Sequence, residues 1–139
     1  MRQHGWDLSV IGALAAAGLL LGVGIAMAVY EEQVYSGQQV KSVREQAQIL
    51  AASVSAAVVF DDRKAAQEYV NAVAVNPETE AAGVYDRQGR LLAGFARGGT
   101  RLPAQVRRAA TTYGGDHVDV AEEVRQAGTR VGMVLLRAV

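Results

Sequence analysis

AAGVYDRQGRLLAGFAR, residues 81–97, is the stretch that decides the fold. Two short apolar segments, Ala81 to Asp86 and Arg90 to Arg97, flank Asp86-Arg87-Gln88-Gly89. Four residues of this kind between apolar runs make a type I turn, with glycine in the positive-φ position, and the flanks read as the strands of a hairpin. In the second strand Leu91, Ala93 and Phe95 point one way and Leu92, Gly94 and Ala96 the other, because side chains alternate along a strand.

Downstream, Gly98-Gly99 ends that strand, and Leu102 to Thr112 reads as weakly helical, with Pro103 tolerated in a first turn. A third alternating strand starts at Val118-Asp119-Val120 and runs to about Val124. Gln126-Ala127-Gly128-Thr129 turns the chain, and Val131, Met133 and Leu135 mark a fourth strand. Upstream, Ala65, Ala66, Tyr69, Val70 and Val73 recur at helical spacing, which predicts a helix over Arg63 to Val75. Asp61-Asp62 supplies its cap and Asn76-Pro77 its stop. Helices followed by two hairpins make a small α+β domain with an antiparallel sheet.

Further upstream, residues 31–60 contain no proline, so a long stalk helix is expected there. Val40, Val43, Ala47, Leu50, Val54 and Ala57 step by three and four, the spacing of a coiled-coil seam between two subunits. The same stripe would equally serve a helix lying on its own sheet, and a second stripe of Ile49, Ala56 and Phe60 would let one helix do both. Before the stalk, LSVIGALAAAGLLLGVGIAMAVY (residues 8–30) carries no charge and is long enough to cross a bilayer. Ala26-Met27-Ala28 would suit a signal-peptide cleavage site, but the apolar run before it is longer than such peptides carry. Arg2 precedes the run and Glu31-Glu32 follow it, which places the N-terminus in the cytoplasm and the bulk outside. The expected organisation is a cytoplasmic tip (1–7), a transmembrane helix (8–30), a stalk (31–60) and a small α+β domain (61–139). The last two together (31–139) make the extracytoplasmic module.

The chain has a formal net charge of zero, so no overall field draws it to nucleic acid. It has no cysteine and two histidines, His4 and His117, which leaves no thiolate chemistry and no histidine-rich metal site. No catalytic, cofactor-binding or metal residues are expected, and the chain does not read as an enzyme. Gly114-Gly115-Asp116-His117 evokes the GGDEF signature of cyclases, but a glycine turn before the third strand explains it. Glu122 and Glu123 point to opposite faces of a strand and form no acid–base pair. The strongest polar bias is basic: Arg87, Arg90, Arg97, Arg101, Arg107 and Arg108 occur with no acid between Asp86 and Asp116. Arginine forks match carboxylate and phosphate oxygens, and Arg87, Arg90 and Arg97 are the candidate anion-facing residues.

Two runs together resemble one known family. Residues 51–62, AASVSAAVVFDD, followed by Ala65-Ala66, are similar to the helix-junction signature of the CHASE family, eighth class. Ala81 to Ala93, AAGVYDRQGRLLA, is similar to that family's hairpin. The resemblance extends over about Val34 to Leu136. It implies a PAS-like periplasmic sensor domain of a membrane-bound diguanylate cyclase or sensor histidine kinase in the bacterial inner membrane. Such a protein would be a homodimer responding to an unknown periplasmic small molecule or protein. Members of the family continue into a second membrane helix, a HAMP linker and an output domain, none of which lies within these 139 residues. The competing expectation is a single-pass envelope scaffold with no signalling output. The signature also marks Phe60, Asp61 and Asp62 as the junction, where Phe60 is expected to be buried between helix and sheet and one aspartate to cap the second helix.

Overall fold

The computed structural model describes residues 4–139, and, within α1, the side chains of residues 9–27 and 37–59. The tip residues Met1 to Gln3, with the orienting Arg2, lie outside the described residues, as do the side chains of Asp7, Glu31 and Glu32. Two helices, α1 (His4–Val59) and α2 (Arg63–Ala74), precede five strands. These are β1 (Thr79–Tyr85), β2 (Leu91–Ala96), β3 (Ala110–Tyr113), β4 (Val118–Gln126) and β5 (Thr129–Ala138). The chain divides into two compact units, one up to Gln39 and the other Val40–Val139.

The first unit is helical, and its Ser9–Met27 segment is long and apolar enough to cross a membrane. Leu14, Leu19, Leu20, Leu21 and Ile25 on it are all exposed.

The second unit is an α+β domain. Its strands form one antiparallel sheet in the order β2-β1-β5-β4-β3. Val43, Ala47, Leu50, Val54, Ala57 and Val58 of α1 press on one face of the sheet, against Val84, Val120, Val124, Val134 and Leu136, and α2 adds Ala66 and Val70. Each large apolar side chain so buried stabilises the fold by roughly 1.5–3 kcal/mol. Arg44 of α1 donates to Thr111 Oγ1 (3.0 Å) and lies 4.0 Å from Glu122, tying the helix to β3 and β4. On the opposite face Tyr85, Ala121, Met133 and Leu135 are covered by Leu102 and Val106.

Those last two residues belong to a segment read above as helical, and the structure corrects that reading. Residues 97–109 form an irregular strap, followed by a fifth strand over Ala110–Tyr113. Leu102 and Val106 are four apart because both reach back onto the sheet, not because a helix carries them. The strap is pinned by an isolated bridge between Arg90 and Gln105, and by Arg130 donating to the Arg107 carbonyl (2.8 Å). The GGDH stretch closes the β3–β4 turn, with Gly114 N–H donating to the His117 carbonyl (2.8 Å).

Candidate functional site

Two of the sequence signals, the Phe60-Asp61-Asp62 junction and the Asp86–Arg90 turn, converge in space. They meet in a cleft of about 390 Å³ lined by Val58, Val59, Asp61, Asp86, Arg87, Gln88, Arg90 and Val131. That volume lies within the range of small-molecule sites.

One wall is the end of α1. The helix closes in a Schellman motif: Asp62 N–H donates to the Ala57 carbonyl (2.8 Å) and Asp61 N–H to the Val58 carbonyl (3.3 Å). The left-handed residue that the motif requires is Asp61, at φ 52°, where glycine is usual. Asp62 then caps α2, its carboxylate accepting from Ala65 N–H at 3.0 Å, which is the cap expected from the sequence. The same reversal turns Phe60 outward. Phe60 is 79% exposed, so the expected burial between helix and sheet is overturned. Phe60 follows the last helical residue, and the left-handed step after it takes the chain away before its ring can reach the core.

The facing wall is the β1–β2 turn. Asp86 Oδ1 accepts from the N–H groups of Gln88 and Arg90 (both 2.9 Å), and Oδ2 accepts from Arg90 Nε (3.1 Å). Partial burial pushes the Asp86 carboxyl up. The Arg90 N–H and charge, with the Gln88 N–H, outweigh this and hold it below the usual carboxylate range. Gly89 takes φ 80°, and a side chain there would strike the strap's Val106 carbonyl, so no other residue fits this turn.

Charge in the cleft is mixed. Arg90 is engaged by Asp86, whereas the Arg87 guanidinium and the Asp61 carboxylate have no partner among the described residues. The floor, Val58 and Val131, is apolar and buried. Such a cleft can seat a small molecule by its apolar body while Arg87 takes an anionic group and Asp61 a cationic one.

Arg97 is not part of it. It donates to the Ala74 carbonyl (3.0 Å) and lies 5.5 Å from the Phe95 ring centroid, bracing β2 against the end of α2. The stripe of Val40, Val43, Ala47, Leu50, Val54 and Ala57 lies on the domain's own sheet: Val40 is half-buried and the other five are buried there. A seam between subunits would have to use another face of α1. The exposed groups facing the cleft were visible in the sequence only as two separate clusters, and nothing in either announced the other.

Comparison with known proteins gives one family match. The CHASE8 model, described as a periplasmic sensor domain, matches residues 35–137, well over half of the chain. No curated protein matches the sequence significantly.

Proposed function

The chain belongs to the CHASE8 family of periplasmic sensor domains, and from this we propose that it is the sensory input module of a membrane-anchored bacterial signalling protein. The observation that carries the reading is adjacency. The matched region begins at residue 35, directly after the apolar Ser9–Met27 segment of the same helix. An uncharged segment of that length is worth more in hydrocarbon than in water, and the sensor then stands on its far side. Arg2 before the segment and Glu31-Glu32 after it favour a cytoplasmic N-terminus and a periplasmic domain.

The junction cleft is where a stimulus acts. A ligand spanning Arg87 and Asp61 touches the sheet's first turn and the end of α1 at once. It therefore favours whichever packing of helix on sheet binds it better, and it shifts the equilibrium only by that difference. The output so controlled is cyclic-dinucleotide synthesis or histidine phosphorylation by a partner domain. The module itself works by binding and not by catalysis.

Fusions test the placement. Alkaline phosphatase joined after Val139 is expected to be active, and green fluorescent protein exported at the same point to be dark. The reverse pattern would reject a periplasmic domain.

A further inference from the structure

The two edges of the sheet are finished differently. At β2 the Gln67 amide engages the N–H and the carbonyl of Gly94 (3.2 and 3.1 Å), and the strap bridges Arg90 through Gln105. At β3, the other edge, no backbone group of the described residues lies along the outer side.

The ladder fixes what that open edge displays. Gly114 N–H donates to the His117 carbonyl (2.8 Å), which makes these two a hydrogen-bonded pair. Such pairs alternate with non-bonded ones along an antiparallel ladder. Thr112 opposite Asp119 and Ala110 opposite Ala121 therefore bond inward to β4. Thr111, opposite Val120, and Tyr113, opposite Val118, aim their N–H and C=O groups outward. Those groups have no partner among the described residues. An edge of this kind is a template for another strand.

The flanking side chains define which strand fits. Arg107 and Arg108 lead into β3 and are exposed, and neither guanidinium has a partner among the described residues. No acid occurs between Asp86 and Asp116 to answer them locally. At the other end of β3, Tyr113 is 69% exposed, an aromatic ring of the kind enriched at interfaces.

We propose that β3 takes up an extended, acidic segment of another protein by strand addition. The segment runs antiparallel to β3, with carboxylates at its C-terminal end beside Arg107 and Arg108. Main-chain bonds to Thr111 and Tyr113 hold it, and the arginine forks select its carboxylates. A second copy of this chain fits less well. Its own β3 would offer the arginines only Asp116, whose carboxylate His117 already holds at 2.9 Å.

The test uses the full chain, isotope-labelled in detergent. The probe is a terminally blocked peptide of alternating threonine and valine ending in two glutamates. At saturation it should slow hydrogen exchange at the Thr111 and Tyr113 amides roughly tenfold. Replacing the glutamates by lysines, or combining Arg107→Gln with Arg108→Gln, should weaken binding roughly tenfold. Tyr113→Pro deletes an outward N–H and none of the bonds to β4, so binding should be lost while the melt stays near that of wild type. If that variant unfolds, the wild-type chain with a peptide N-methylated at alternate residues asks the same question, and binding should again be lost. A glutamate peptide that leaves both amides unprotected overturns the proposal. Equal binding of the lysine peptide overturns it, because the arginines then select nothing. Binding that survives Tyr113→Pro or the N-methylated peptide places the contact elsewhere and overturns it too. So does protection of Thr111 and Tyr113 that rises with the concentration of the chain alone, since a second copy then fills the edge.

Discussion

Gln67 holds Gly94 at both of its backbone groups: Gln67 Nε2 donates to the Gly94 carbonyl (3.1 Å), and Gln67 Oε1 accepts from the Gly94 N–H (3.2 Å). β2 is an edge strand, and this one amide from α2 satisfies groups that a neighbouring strand would otherwise claim. Gln67→Ala removes both bonds and leaves half-buried polar groups unpaired. It should cost ~1–3 kcal/mol in denaturant unfolding and speed hydrogen exchange at Gly94.

A second close approach fixes how α1 sits on the sheet. A Cβ at Gly132 would run into the Tyr85 carbonyl and come within 2.8 Å of Val58 Cγ1. The carbonyl cannot rotate away without breaking β1, so Gly132→Ala should destabilise the domain by ~1–3 kcal/mol, measurable as a lowered melting midpoint.

Burial separates two residues that both look like core in the sequence. Leu50 is 2% exposed and Phe60 79%. Leu50→Ala should cost ~2–5 kcal/mol, whereas Phe60→Ala should stay within ~0.5 kcal/mol of wild type in the same melts.

The junction aspartates should behave oppositely to one another. Asp61 occupies a left-handed position that glycine takes without strain, so Asp61→Gly should leave stability unchanged or raise it by up to ~1 kcal/mol. Asp62→Ala removes the cap of α2 and should cost ~0.5–2 kcal/mol by denaturant titration.

Alkali should loosen the strap. Burial, with the nearby Asp119 charge, pushes the Tyr85 phenol up to about 12. Its hydroxyl donates to the Pro103 carbonyl at 2.9 Å. The folded value lies above the unfolded value of about 10. The contribution is therefore complete below pH ~10 and is lost as pH climbs through the folded value. Stability curves of wild type and Tyr85→Phe should converge over that interval, with tyrosinate absorbance reporting the ionisation.

The elements that announce themselves in the sequence are those whose own side chains carry the period. The α1 stripe, the α2 face and the two hairpins with Gly89 and Gly128 are of that kind. β3 is not: Ala110-Thr111-Thr112-Tyr113 is mostly exposed, has no apolar alternation, and is a strand because β4 pairs with it. Leu102 and Val106 misled for a related reason, since spacing records a shared destination and not the path between. The family signature marks Phe60 for burial at the junction, and the single left-handed residue after it turns the ring outward instead. The cleft needed three dimensions, because Asp61 and Arg87 belong to different elements.

The central position of β5 bears on how the domain comes into being. β5 is made after the other four strands of the sheet, yet it lies between β1 and β4 and pairs Thr79 with Ala138. Contacts that distant along the chain are slow to form, because a long loop must close before any of them repays its entropy. At ~5–20 residues per second, α1's apolar stripe waits several seconds in the nascent chain for the strand that will cover it. During that interval Val43 to Val58 can pair with any apolar surface that offers itself. Yield in the cell is then governed by how well this unfinished intermediate is shielded, more than by the stability of the finished sheet.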